Sequence, residues 1–287
     1  MKIAKRVDEL KDLIRRSSLV PVGIVPTMGA LHDGHISLVK EAIGRTPLIV
    51  VSIYVNPTQF NDKNDFNGYP RTTEEDIEVL ERVLRPDDIL FLPSDEEIYP
   101  EPDTRKFDFG NLDKVMEGSR RPGHFNGVGQ IVSKLFTYVG PDIAFFGQKD
   151  FQQVAVVRNL VKQMGVDIEI VACPTVREKD GLAMSSRNRL LEPSARNEAP
   201  VIYKSLSLAS GMFGKREIFE IKRAVLDMVE SNGILEVEYF EIVDDIDLVP
   251  LKRNDEIERS KNYYGCIAVK AGKIRLIDNI AMGMRQF

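Results

Sequence analysis

The chain is short of the residues that usually announce a metal centre or a disulfide scaffold. Its 287 residues include 2 cysteines and 3 histidines. Cys173 and Cys266 stand far apart and at no metal-ligand spacing, so the expectation is two free thiols in a reducing cytoplasm. No window approaches the roughly 18 apolar residues that a membrane span needs. The N-terminal stretch MKIAKRVDELKDLIRR is charged throughout and lacks the apolar core of an export signal. Its Ile3, Val7, Leu10 and Ile14 recur every three to four positions and predict one face of a surface helix. Positive charge is not in excess either. With 39 Lys and Arg against 44 Asp and Glu, the net charge of −5 argues against a broad nucleic-acid surface and leaves only a local basic cleft for a small anion. A P-loop, GxxxxGK[ST], is missing, and Gly127 and Gly129 have neither the third glycine nor the preceding strand of a dinucleotide fingerprint. There is no internal repeat and no low-complexity tract.

What is present is the composition of a globular chain, 43% apolar and 29% charged, long enough for two domains. Strand and helix signals alternate. VPVGIV (20–25), LIVVSIYV (48–55), DILFL (88–92), DIAFFG (142–147) and DIEIVAC (167–173) read as strands. The second is apolar almost without a break, as a strand covered on both faces must be. Helices are predicted over 35–43, 73–84, 127–138 and from the end of the fourth strand to about Met164, the second opened by a capping box of Thr72 and Glu75. Such alternation predicts an α/β fold, a parallel sheet with helices on both faces whose ligands collect at the carboxyl ends of the strands. After about Thr175 the pattern changes to helices over 193–230 and short strands at 236–243, 264–270 and 274–280. The predicted organisation is residues 1–175 as the main domain and 176–287 as a smaller α+β domain.

The informative polar stretches fall where such a sheet would bind. In His32-Asp33-Gly34-His35 two of the three histidines sit at i and i+3 beside the predicted start of a helix, whose free N–H groups attract anions. Gly34 would leave room for a ligand, and imidazoles suit a phosphate on which charge develops. A zinc site of His32, His35 and His124 is the competing reading, but the spacing is not the i, i+4 pair of a zinc helix and no acid or cysteine completes the set. In Gly147-Gln148-Lys149-Asp150 the glycine permits close approach, the lysine can reach phosphate oxygens, and the aspartate can cap a helix or hold a ribose or metal. The segment 177–188 combines glycine, two hydroxyls at Ser185 and Ser186, and Arg187, which suits a loop clamping a polyphosphate.

PTMGALHDGH, YVNPTQF, RPGHFNGV, FFGQKDFQQ and GLAMSSRN, in this order and spacing, resemble the pantothenate synthetase (pantoate–β-alanine ligase) family over essentially the whole chain. The resemblance implies a Rossmann-like sheet of the HxGH nucleotidyl-transferring type with a C-terminal domain that closes over ATP, a cytoplasmic homodimer, and no nucleic-acid or membrane partner. It implies a reaction in which ATP activates pantoate to an adenylate and β-alanine then displaces AMP. By motif, Met28, Gly29, Ala30, Leu31, His32, Asp33, Gly34 and His35 would line the ATP site, with His35 the proton donor. Gly147, Gln148, Lys149, Asp150, Val176, Met184, Ser185, Ser186 and Arg187 would complete it. His32, Lys149 and Arg187 would assist catalysis, Gln59 would bind pantoate and β-alanine, and Gln153 would bind pantoate. Asn56 is a further pantoate candidate and Asp76 a magnesium candidate. Two rivals, a related adenylyltransferase and a non-catalytic ATP-sensing module, differ in whether AMP and pyrophosphate are released.

Overall fold

The computed structural model of the chain describes residues 1–231 and 233–283. The first part runs β1 (Lys2–Ala4), α1 (Val7–Ser17), β2 (Val22–Thr27), α2 (Asp33–Arg45), β3 (Leu48–Ile53), α3 (Lys63–Gly68), α4 (Thr73–Glu81), β4 (Ile89–Phe91), α5 (Asp95–Ile98), α6 (Met116–Arg120), α7 (His124–Val139), β5 (Ile143–Gly147), α8 (Phe151–Met164) and β6 (Glu169–Cys173). Its six strands form one parallel sheet in the order β1-β4-β3-β2-β5-β6. The sheet is covered on both faces, as the apolar run at 48–53 predicts. Leu48 and Val50 enter one buried cluster with Leu135 and Val156, while Ile49 and Val51 enter the other with Leu38 and Leu80.

The chain leaves β2 toward β3 on one side, whereas β5 leads to β6 on the other. The order therefore reverses at the β2–β5 pair, where Gly23 lies beside Ile143 and Ile24 beside Ala144. A crevice opens beyond the carboxyl ends of strands at such a reversal. Met28–His35 follows β2 and Gln148–Asp150 follows β5, so the topology alone sets the two polar motifs on either lip.

The second part contains α9 (Pro193–Glu198), α10 (Val201–Met212), α11 (Ile218–Glu230), β7 (Leu235–Asp244), β8 (Tyr263–Ala271) and β9 (Ile274–Ala281). The strands form an antiparallel sheet, β7-β8-β9. Alternation along β8 gives it two apolar faces. Ile267 and Val269 pack with α10 and α11, while Cys266 and Tyr264 face the first core, the Tyr264 ring 4.5 Å from that of Phe151. Both cysteines are buried and free.

Several local expectations are corrected. Ile3 belongs to edge strand β1, not to the face of α1, because Lys2–Ala4 pairs with Ile89–Phe91. Thr72 and Glu75 form no capping box; the Thr72 hydroxyl donates to Asp76 at 3.2 Å instead. The turns α3, α5 and α6 have no helical periodicity in the sequence because each spans four to six residues.

Candidate functional site

A cavity of about 870 Å³ opens beyond the ends of β2 and β5. Its walls come from the segment after β2, the turn after β3, the start of α7, the turn after β5, residues 184–187 and β9. Met28, His32, Gly34 and His35 line one side, and Gly147, Lys149, Asp150 and Gln153 another.

The two imidazoles are built into the start of α2. His32 is its N-cap, and its Nδ1 accepts the Gly34 N–H at 3.1 Å. The His35 Nδ1 accepts the His32 N–H at 3.3 Å. This is a capping box made of two histidines. Because both Nδ1 atoms act as acceptors, each neutral ring carries its proton on Nε2. Burial, with Lys149 nearby, holds His32 down to about 4; burial, His32 and Lys149 hold His35 down to about 3. Both are therefore neutral Nε2–H donors at neutral pH, 4.1 Å apart by ring centroid. Gly34 lines the cavity and also serves this arrangement, since a Cβ there would meet the His32 ring at 2.7 Å.

Gly29, Ala30, Leu31 and Asp33 do not line the cavity, and neither do Gln148 and Asp76. Gly29 and Ala30 take positive φ, 77° and 49°, and turn the backbone so that two N–H groups point away from the crevice. Asp76 takes them up: Ala30 donates to its Oδ2 at 2.8 Å and Leu31 to its Oδ1 at 2.7 Å. With Thr72 also donating, this 2% exposed carboxylate is committed on both oxygens and anchors the turn into α2. All three of these contacts are to the chain itself. Among the described residues no group of three or more histidine, cysteine or acidic side chains is placed to hold a metal ion.

The turn bearing Lys149 is pinned from the second sheet. The Asn279 side chain on β9 donates to the Gln148 and Lys149 carbonyls, both at 2.9 Å. Val176, Met184, Ser185 and Ser186 reach the cavity from the same side. Arg187 is already engaged, donating to both carboxylate oxygens of Asp65 at 3.0 Å, and the Ser186 hydroxyl lies 3.2 Å from that of Tyr69. Asp150 caps nothing with its side chain; it lies 3.7 Å from Lys149.

At the opposite end, Gln59 sits in a single 3₁₀ turn, Pro57–Gln59. The Asn56 amide donates to Gln59 Oε1 at 3.2 Å and to the Gly127 carbonyl at 3.1 Å, while Gln59 Nε2 contacts Met28 Sδ at 3.1 Å. A Cβ at Gly127 would fall 2.3 Å from the Thr58 carbonyl, so only glycine lets α7 approach this turn. His124 is placed here and not with the other histidines. Its Nδ1 meets the Gln59 carbonyl at 2.8 Å and its Nε2 faces Arg121 at 3.4 Å, so both nitrogens are spent on the protein. Burial holds it down to about 4.

The cavity also contains residues that motif reading passed over. Glu117, Arg121, Asp65, Tyr69 and Arg275 line it. Arg275 forks onto Glu117 at 2.6 and 2.7 Å and reaches Glu238 at 2.7 Å, joining α6 to the second sheet. RPGHF carried a visible signal for Arg121, whereas nothing local distinguishes Arg275 from any strand arginine.

The family model for pantoate-beta-alanine ligase matches residues 2–281. A pantothenate synthetase of Phocaeicola vulgatus is 50% identical over 283 residues, covering 98% of this chain and 99% of the relative. One from Porphyromonas gingivalis is 48% identical over 282 residues, with 98% and 99% covered. The crystal structure of pantothenate synthetase from Thermus thermophilus superposes with a TM-score of 0.89 at 39% identity, covering 98% and 99%. That of pantoate-beta-alanine ligase from Francisella tularensis, complexed with beta-gamma ATP and beta-alanine, gives 0.80 at 32%, covering 98% of each chain.

Proposed function

This chain belongs to the pantoate–β-alanine ligase family and is a ligase of that kind; from that premise we propose how its cavity divides the reaction. ATP occupies the His32–His35 and Lys149 end, with Val176 and Met184–Arg187 across from it, and pantoate lies between Gln59 and Gln153. A pantoate carboxylate oxygen attacks the α-phosphorus, the bond to the bridging oxygen breaks, and pyrophosphate leaves. The β-alanine nitrogen then attacks the acyl carbon, the acyl–phosphate bond breaks, AMP departs, and the nitrogen gives up its extra proton.

The observation that carries this reading is the paired capping of His32 and His35 beside Lys149. It presents two neutral Nε2–H donors and one cation where a triphosphate accumulates charge. Donors held in place beforehand cost no reorganisation at the moment of reaction, and each is worth about 3 to 4 kcal/mol of barrier. Neutrality matters as well: a neutral donor does not clamp the ground-state triphosphate as an imidazolium would. The resemblance assigns His35 as proton donor; held neutral by burial, the ring serves the developing charge as a hydrogen-bond donor through its Nε2–H. Gln59 and Gln153 bind pantoate without adding a charge that must be desolvated, and Asn56 holds the Gln59 amide in orientation.

Any magnesium would have to arrive with the nucleotide, where it would offset phosphate charge, because Asp76 is occupied by the backbone. Residues 176–287 act as the domain that shields the adenylate from water, latched by Arg187–Asp65 and Ser186–Tyr69. Family membership supports a homodimer, and the two buried free thiols suit a reducing cytoplasm. The test is direct. Pantoate-dependent exchange of labelled pyrophosphate into ATP, followed by AMP and pantothenate formation on adding β-alanine, is the expected result. Exchange without pantoate, or AMP that never forms, overturns the reading.

A further inference from the structure

The cavity's basic groups differ in how far the protein already satisfies them. Arg275 is held by Glu117 and Glu238, and Arg187 by Asp65. Lys149 stands beside the two histidines and depresses both. Among those basic groups not exposed to solvent, Arg121 is the exception. It follows α6 and comes just before the turn into α7, with its side chain 22% exposed. Its nearest carboxylate, Glu117, is 4.0 Å away and already accepts both Arg275 nitrogens and the Tyr239 hydroxyl at 2.7 Å. The one hydrogen-bonding partner of its guanidinium among the described residues is His124 Nε2 at 3.4 Å. That contact is oriented, because the His124 Nδ1 is fixed on the Gln59 carbonyl and leaves Nε2 as the acceptor. Burial lowers the Arg121 pKa, the mark of a cation short of compensation.

A guanidinium left this way, lining the cavity, is built for an anion that arrives with a substrate. Arg121 also lines a side cavity of about 50 Å³ together with Gln153, Lys149 and Asp150, so there is space beside it. Two substrates bring carboxylates. The reacting one must reach the α-phosphate near Lys149 and the histidines. The other, on the amine substrate, passes through the reaction unchanged and needs an anchor of its own within reach of the acyl carbon. Arg121 is tied through His124 to the backbone of Gln59, which faces the acids.

Resting on the reaction proposed above, we propose that Arg121 anchors the carboxylate of the amine substrate and thereby selects an amino acid over a simple amine. The fork of the guanidinium matches a carboxylate bidentately, and the amino group then projects toward the acyl carbon. A neutral or carboxylate-free amine leaves the half-buried Arg121 without a carboxylate of its own, which the site penalises.

The experiment compares β-alanine with 3-aminopropanamide, which keeps the amine and chain length and loses the charge. Wild-type protein is expected to prefer β-alanine in kcat/KM by roughly 10- to 100-fold, the range of one charge-assisted hydrogen-bonded contact. In Arg121→Ala the KM for β-alanine rises by about that factor and the preference over the amide collapses to within about 3-fold, with Arg121→Lys in between. Pantoate-dependent pyrophosphate exchange, run without any amine, stays within about 3-fold of wild type, since adenylation does not use the anchor. Equal use of acid and amide by the wild-type protein overturns the inference without any variant being needed. An exchange rate that falls in step with the β-alanine reaction overturns it too, because Arg121 would then serve the reacting carboxylate. Absence of exchange in the wild type would instead sink the proposed reaction, and the anchor with it.

Discussion

The two ends of the cavity are assembled in different ways. At the end proposed for ATP the histidine pair is local: His32 and His35 cap one helix within four residues, with each side chain bonded to the backbone of the same motif. The acid end is tertiary. Gln59 is held by Asn56, Met28 and His124, and the wall beside it by Glu117, Tyr239 and Arg275, which come from both parts of the chain. A locally encoded site keeps its geometry while the rest of the molecule moves. A tertiary one reports whether the second sheet is docked. This contrast predicts that substitutions at the nucleotide end change rate with the fold intact, and that those at the acid end change substrate binding and sometimes stability.

The largest effect is expected at His35. In His35→Ala the pantoate-dependent exchange rate should fall by roughly 10² or more, while the midpoint of thermal unfolding stays near that of the wild type. A purified, folded variant with normal exchange would remove His35 from the mechanism. Gly34→Ala sharpens the point without touching an imidazole. Its methyl would displace the His32 ring, so exchange should drop by about 10-fold or more, whereas the KM for pantoate is unchanged. A drop confined to the pantoate KM would show that the two ends are not separable. At the acid end, Gln59→Ala should weaken pantoate binding by about 10-fold, one lost hydrogen-bonding group, with ATP affinity preserved. Calorimetric titration of each ligand alone decides it.

The same division explains what is legible in the sequence. The apolar run at 48–53 and the alternation of elements point to the sheet, because burial on both faces leaves a signature in consecutive residues. His32 and His35 are legible as a pair, since their contacts lie within one helical turn. The job of Asp76 is not. Its partners are the N–H groups of Ala30 and Leu31, 46 and 45 positions away, and an acid at a helix start reads equally well as a ligand, a cap or a solvated charge. Thr72 misleads for the same reason, its hydroxyl being drawn to Asp76 rather than to its own helix. Gly34 suggests space for a ligand, but its second use, making room for the His32 ring, depends on how the turn folds. Arg275 and Asn279 carry no periodic signal at all; only the register of β9 against β8 aims them at the first part of the chain.

The histidines also make the comparison testable by pH. All three have folded-state pKa values pushed below the ordinary 6.5, to about 4 for His32 and His124 and about 3 for His35. Below 6.5 the unfolded chain takes up protons that the folded chain refuses, so stability is full above that pH and is lost as pH falls toward 4. His124, only 7% exposed, contributes at most about 3 kcal/mol to this loss. Denaturant unfolding of His124→Asn between pH 7 and 4 should show a shallower decline than the wild type. A parallel decline would place the acid sensitivity elsewhere.

The smallest expected effect concerns the latch. Arg187 is held by Asp65 across the mouth of the cavity, with side chains 26% and 39% exposed. Pairs this open are worth about 0.2 to 1 kcal/mol. An incoming phosphate must compete with Asp65 for the guanidinium, so Asp65→Asn removes a competitor while leaving the chain able to dock through Ser186 and Tyr69. The KM for ATP should therefore fall, by about 2- to 5-fold, with kcat nearly unchanged. A rise in that KM would mean that Asp65 helps to orient Arg187 for the nucleotide, and that the ion pair persists in the loaded enzyme rather than being exchanged for phosphate.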